Sequence, residues 1–206
     1  MPYRPVKRML DLTIASLLGL LLVPVAALVL VVMAIDMLLV PRDRGAFLYR
    51  ERRISRGREF DLLKFRSLRA EALRAMAPGA YARQLESDAS NLTWAGRHVL
   101  KPWYLDEVPQ LLNVLTGSMS LVGPRPWPRA EVELQVADGF DYRNRMIAGW
   151  TGPSQVQKGG PQTGPWPDLD YVEACRNWGA LRLLRYDLRV LAATLRVVAR
   201  RGGLND

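Results

Sequence analysis

Two adjacent carboxylates, Asp106 and Glu107, stand just ahead of Pro109 in the run LDEVPQLLNVLTGSMSLVGPRP, Leu105 to Pro126. Proline is tolerated in the first turn of a helix, where its missing N–H would have no partner, so Pro109 sets a helix start just after the acids. Asp106 and Glu107 are therefore expected at a helix N-terminus, whose unpaired N–H groups and positive dipole end favour a carboxylate and can also receive a phosphate. Further along the same run, Arg125 is held between Pro124 and Pro126. It has little backbone freedom to lose and offers a planar donor fork to a phosphate or a planar base. On its own, an Asp-Glu pair before a helix is a capping arrangement. An acid pair, an anion-binding helix end and a rigid arginine on one short segment point to phosphoryl chemistry.

That run resembles, nearly position for position, the signature of the bacterial sugar transferases that are monotopic polyprenyl-phosphate phosphoglycosyl transferases. The resemblance extends to Lys64-Phe65-Arg66-Ser67, to Thr93-Trp94-Ala95-Gly96-Arg97 and to Gly149-Trp150-Thr151-Gly152-Pro153-Ser154-Gln155-Val156. It implies an enzyme that moves a phosphosugar from a nucleotide-sugar onto a membrane polyprenyl phosphate. Asp106 would be the nucleophile and Glu107 would assist with metal or proton handling, the two acids holding Mg²⁺ or Mn²⁺. Arg125 would meet the nucleotide end with Pro124 and Pro126 fixing it, Lys101 and Arg97 would support the phosphates, Lys64 and Arg66 would lie near the active site, and Gln155 would belong to a wall of the donor pocket. The chain also departs from the pattern. Lys101 stands where the family carries arginine, Pro102-Trp103-Tyr104 replaces small and basic residues, and Glu51 and Ser55 replace glutamine and glycine. A lysine neutralises phosphate as a point charge without the bidentate fork, so a different substrate choice is expected.

What must position these residues is read from the rest of the chain. With 206 residues, 49% of them apolar, it can bury one sizeable core, and one domain plus an anchoring segment is expected. Cys175 is the only cysteine and His98 the only histidine, which excludes an internal disulfide, a cysteine-rich zinc site and a histidine cluster. Cys175 is expected to be a small buried residue. A net charge of +9 calls for an anionic partner, nucleic acid or an anionic membrane surface. The segment Leu12 to Ile35, which carries no charge, decides for the membrane, being long enough to cross a bilayer. Basic residues flank it on both sides, Arg4, Lys7 and Arg8 before and Arg42, Arg44, Arg50, Arg52 and Arg53 after. Positive flanks prefer the cytoplasmic face, and a simple span cannot place both there. Pro24 bends the run. A kinked transmembrane helix stays open on these residues alone, while Lys7-Arg8 with Asp11 and a mid-run proline resemble the family's re-entrant helix, broken at Ser16–Pro24.

Gly45 to Arg69 alternates apolar groups and arginines around a turn at Ser55–Gly57, a β-hairpin pattern. Residues 70–90 are expected to be helical with a break at Pro78-Gly79, residues 127–149 charged and helical, and Lys158 to Pro167 a long loop acting as a lid. From Ala180 to Arg201, Leu181, Leu184, Leu188, Leu191, Leu195 and Val198 form one apolar face beside a row of arginines, as in an interfacial helix or an ordinary core helix with a basic side. The reading is an α/β fold, mostly helical with a small β region and membrane-associated. A re-entrant membrane helix hairpin occupies residues 1–40, and a cytoplasmic catalytic domain with amphipathic interfacial helices occupies 41–206. It sits on the cytoplasmic face of a bacterial inner membrane. The partners the resemblance implies are a nucleotide-sugar donor of the UDP-sugar type, polyprenyl phosphate and anionic lipids, with no nucleic acid and with a homodimer left open. The competing classes are a basic nucleic-acid binder, which would not need the apolar segment, and a catalytically inactive membrane scaffold.

Overall fold

The computed structural model describes residues 4–76, 82–157 and 164–199. The break expected at Pro78-Gly79 and most of the expected lid, 158–163, lie outside them. Helix α1, Pro5–Leu39, is followed by the strands β1, Leu48–Ser55, and β2, Arg58–Phe65, and then by short helices α2, Ala70–Arg74, and α3, Ala82–Glu86. Three single turns, Gly96–Leu100, Lys101–Trp103 and Leu105–Glu107, lead into α4, Gln110–Thr116. Strand β3, Met119–Val122, comes next, then α5, Arg129–Ala137, α6, Tyr142–Arg145, and β4, Ala148–Thr151. Helices α7, Pro153–Val156, α8, Trp166–Asn177, and α9, Ala180–Ala199, complete the order.

The sequence expectation of a break at Ser16–Pro24 is not met, because α1 is continuous through both residues. Proline removes one helix hydrogen bond, but long runs of Leu, Val and Ala on each side keep the flanking turns helical, as membrane helices tolerate. The apolar stretch of α1 is long enough to cross a membrane and leaves most of its side chains uncovered, Leu20 being 74% exposed. The hairpin β1–β2 turns at Arg56 and Gly57, both at positive φ, 52° and 71°. That is the geometry a two-residue hairpin turn needs, and it is why glycine stands at the second position.

Two compact units form. One comprises Met1–Leu17, Arg52–Phe60 and Leu111–Asp206, the other Leu18–Glu51 and Asp61–Gln110. In the first, β3 and β4 pair in parallel with Met119 opposite Ala148 and Val122 opposite Thr151. Residues 127–149, expected to be helical, thus end in a strand, with α5 and α6 forming the crossover that parallel strands require. Met119, Leu121 and Val122 are fully buried, and Tyr171 of α8 donates its hydroxyl to the Val122 carbonyl at 3.2 Å and to Asp187 Oδ1 at 2.8 Å. Trp166 and Pro167, expected in the lid, instead open α8, where proline suits the first turn. The first turns of α1 belong here too. Lys7 Nζ meets Asp187 Oδ2 at 2.8 Å, Asp11 accepts from the Ser120 hydroxyl at 2.8 Å and the Leu121 N–H at 3.2 Å, and Arg8 donates to the Val114 and Leu115 carbonyls that end α4.

In the second unit, Val29 and Met33 of α1 pack with Phe65, Ala95 and Leu100, while Leu68, Ala82 and Leu92 make a separate cluster. Asp43 is fully buried and accepts from Arg69 Nε at 2.9 Å and from the Trp94 N–H at 2.9 Å. Asp36, near the end of α1, accepts from the Ala95 N–H at 3.0 Å. Gly96 lies so close to the Ser67 carbonyl that a Cβ would come within 2.2 Å of it, so only glycine fits ahead of Arg97.

Candidate active site

Asp106 and Glu107 sit in the second unit, in the single turn that precedes α4. Pro109 comes immediately before that helix, as the sequence indicates, and the Asp106 carboxylate is not spent on capping it. Asp106 is 1% exposed and Glu107 is buried. The chain reaches them through Tyr104, which adopts a left-handed conformation, φ 55° and ψ 24°, between the turns Lys101–Trp103 and Leu105–Glu107. A non-glycine residue there is uncommon, and here it reverses the chain so that Lys101 and Asp106 face each other. Lys101 Nζ lies 2.7 Å from Asp106 Oδ2 and 2.6 Å from Glu86 Oε1. The other oxygen, Asp106 Oδ1, is buried with no hydrogen-bond partner.

Burial pushes the Asp106 carboxyl above the usual carboxylate range. Lys101 pulls it down, Glu107 pushes it further up, and Lys64 again lowers it. Burial also opposes the charge on Lys101, but two carboxylates, Asp106 and Glu86, outweigh that and hold its pKa above the ordinary lysine value. The two directions are compatible, since one ammonium divided between two acids cannot fully offset the burial of either. The group that meets the Asp106 carboxylate directly is the Lys101 ammonium, through Oδ2.

The neighbouring expected residues separate by role. Lys64 is buried, with Glu51 Oε2 3.8 Å away. Arg66 donates to the carbonyls of Ala46, Leu68 and Asp43 at 2.6–2.7 Å, which makes it a strut between the segments that enter and leave the hairpin. Arg97 is exposed on its turn. Glu86, which shares Lys101, carried no sequence signal, because it lies in a separate short helix and has no motif of its own.

The remaining expected residues lie in the first unit. Pro124 and Pro126 are buried and Arg125 is half-buried, in the loop that leaves β3. Its backbone is tied to β4, Gly149 N–H donating to the Pro124 carbonyl at 2.9 Å and Gly123 N–H to the Thr151 carbonyl at 3.0 Å. Gln155 is buried in α7, and its Oε1 has no hydrogen-bond partner. Lys7 and Arg8, expected in the membrane anchor with Ser16 and Pro24, are engaged with Asp187 and the end of α4, while Ser16 and Pro24 are exposed on α1. Sequence reasoning also missed Arg143 and Asp168, which are buried beside the Arg125 loop.

A sequence model described as Bacterial sugar transferase matches residues 2–201. The UDP-galactose-lipid carrier transferase of Erwinia amylovora is 36% identical over 97% of this chain, which covers 42% of that protein. The UDP-glucose:undecaprenyl-phosphate glucose-1-phosphate transferase of Caulobacter vibrioides is 34% identical over 86% of the chain, covering 66% of its own length. The exopolysaccharide production protein ExoY of Sinorhizobium fredii is 37% identical over 73% of the chain and 68% of its own length. The chain thus spans from about two fifths to about two thirds of these relatives.

Proposed function

The chain belongs to the bacterial sugar transferase family, and from that membership we propose that it transfers a phosphosugar from a UDP-sugar to polyprenyl phosphate, giving polyprenyl-diphosphate-sugar and UMP. The observation that carries the chemistry is the asymmetric carboxylate of Asp106, whose Oδ2 is held by Lys101 and whose Oδ1 has no protein partner. Oδ1 attacks the sugar-bearing phosphorus and the bond from that phosphorus to the UMP oxygen breaks. An oxygen of polyprenyl phosphate then attacks the same phosphorus, and the Asp106–phosphorus bond breaks. Splitting the transfer this way lets a soluble and a membrane substrate react in turn. Lys101 and Lys64 offset phosphate charge, and Glu107 assists with proton handling. Arg125 serves the nucleotide, with Gln155 on the same substrate half.

A divalent cation fits the donor set in part. Asp106 and Glu107 are hard oxygen ligands, one with an orphaned oxygen, and Mg²⁺ is commonly held by one or two carboxylates plus substrate phosphates. Among the described residues no group of three or more His, Cys, Asp or Glu could hold a metal without substrate. When bound, Mg²⁺ or Mn²⁺ would neutralise the diphosphate. Activity is expected to vanish in excess chelator and return with Mg²⁺. We also propose that α1 is a re-entrant anchor in the bacterial inner membrane with the remaining chain in the cytoplasm, serving exopolysaccharide or glycoconjugate synthesis.

The test uses the whole chain in nanodiscs with polyprenyl phosphate and a panel of UDP-sugars, reading UMP release. Donor alone should release about one UMP per enzyme and leave a phosphosugar on the protein, as a covalent intermediate requires. Asp106→Asn should release none while still accepting from Lys101. Normal turnover by that variant, or no adduct by intact-protein mass spectrometry while the full reaction runs, overturns the mechanism.

A further inference from the structure

Arg143 of α6 is buried, and its guanidinium is committed on every edge. Nε donates to Gln135 Oε1 at 2.9 Å, one terminal nitrogen donates to the Arg125 carbonyl, and the other lies 3.5 Å from Asp168 Oδ2. Its plane sits 3.9 Å from the centre of the Trp127 ring. One side chain thus grips the Pro124–Trp127 loop by its backbone and by its last aromatic ring.

Asp168, at the start of α8, holds the other end. Its Oδ2 accepts from the Tyr142 hydroxyl at 3.4 Å, and its Oδ1 accepts from the Ser154 N–H at 3.4 Å. Ser154 directly precedes Gln155, the buried amide whose Oε1 has no protein partner. The buried pair therefore links two segments far apart in sequence, the arginine loop after β3 and the α7 turn. A pair whose only role is stability is readily replaced by apolar residues of similar volume, because desolvation consumes most of the attraction. What an apolar replacement would not supply is the directional hold on a carbonyl and an N–H in two different loops.

We infer that Arg143 and Asp168 are positioning residues that set Arg125 and Gln155 for the nucleotide half of the donor. The inference rests on the nucleotide-binding role proposed for Arg125. Arg143→Lys keeps the charge but loses the fork, and Asp168→Asn keeps the size but loses the charge.

The experiment measures KM for the UDP-sugar and for polyprenyl phosphate separately, with the full chain in nanodiscs. Each variant is expected to raise the donor KM by about tenfold, leaving the polyprenyl phosphate KM within about twofold, a split that general loss of folded protein does not produce. In an Arg125→Ala background, Arg143→Lys is expected to add less than about twofold, since residues acting through one group are not additive. Should Arg143→Lys fail to fold, Asp168→Asn carries the same expectations, and hydrogen exchange of the peptide 123–128 should rise in it. An unchanged donor KM, a parallel rise in both KM values, full additivity with Arg125→Ala, or unchanged exchange overturns the inference. If Arg125→Ala alone leaves the donor KM unchanged, the role of Arg125 itself is wrong; if it raises that KM while the Arg143 and Asp168 variants do not, only the positioning is wrong.

Discussion

At the scale of single residues, Lys101 has the most to hold together. Removing its charge leaves Asp106 and Glu86 facing each other's field with no shared cation, and one of them is deeply buried. Breaking a buried pair by deleting one partner costs about 3–5 kcal/mol, so Lys101→Met should lower the denaturation free energy by about the lower end of that range. Adding Asp106→Asn should return part of the loss; if Lys101→Met is neutral in urea unfolding, the pair is not formed as described. Cys175 gives a pH prediction. It is half-buried rather than buried as expected, and that burial pushes its thiol up to about 11, with the charge of Lys7 pulling the other way. The thiolate is the reactive form, so alkylation of native protein should be slow at pH 7 and rise about tenfold per pH unit towards the pKa. Rapid labelling at pH 7 under native conditions would contradict the raised pKa. The acid pair was legible in the sequence as a candidate site because a long motif surrounds it. Its environment was not, because the residue that shares Lys101 lies in α3 and nothing local marks Glu86.

Among the elements, the hairpin and α9 were legible and the parallel strand pair was not. Alternation around Arg56-Gly57 marks β1 and β2, and spacings of three and four mark α9. Strands β3 and β4 have four residues each, and β3 is buried on both faces, so no alternation survives to be read. Their pairing also depends on a distant partner. Helix α8 was hidden by the proline- and glycine-rich run before it, whose last residues prove to be its first turn. For α9 the structure adds what spacing left open. Leu183, Asp187 and Val190 are the residues turned to the interior, while Leu181, Leu188 and Leu195 of the apolar stripe are exposed. An uncovered apolar stripe beside Arg182, Arg185, Arg189 and Arg196 suits a membrane interface. Leu188→Glu with Leu195→Glu should weaken binding to anionic vesicles at least about tenfold without lowering thermal stability, since little protein packing is lost. A fall in stability with unchanged vesicle binding would assign the stripe to protein packing instead.

For the whole molecule, the decisive question is which side of the membrane each end of α1 occupies. The helix is about 52 Å long at 1.5 Å per residue, against about 30 Å of hydrocarbon. Its two ends are nevertheless fastened by polar contacts that lipid could not supply. Lys7, Arg8 and Asp11 meet Asp187, the end of α4 and β3, and Asp36 meets the Ala95 N–H. Ala95 and the Val114 carbonyl held by Arg8 are joined by a segment carrying Arg97, Lys101, Asp106 and Glu107, in which no helix exceeds the seven residues of α4. Such a segment cannot cross a bilayer, because its charges would enter hydrocarbon unpaired by water. The proposed re-entrant anchor puts both basic flanks of α1 on the cytoplasmic face, the side positive flanks prefer. The re-entrant proposal needs a bend of the apolar stretch within the membrane, and Pro24 is where a helix lacks one hydrogen bond. Tags at the two termini should therefore be equally protected from impermeant reagents in intact cells and equally labelled in inverted vesicles. Pro24→Ala, which restores the bond, should stiffen α1 and expose the N-terminal tag in a fraction of molecules, with UMP release falling in proportion. Labelling of the wild-type N-terminal tag from outside, with the C-terminal tag protected, would establish a span and end the re-entrant reading.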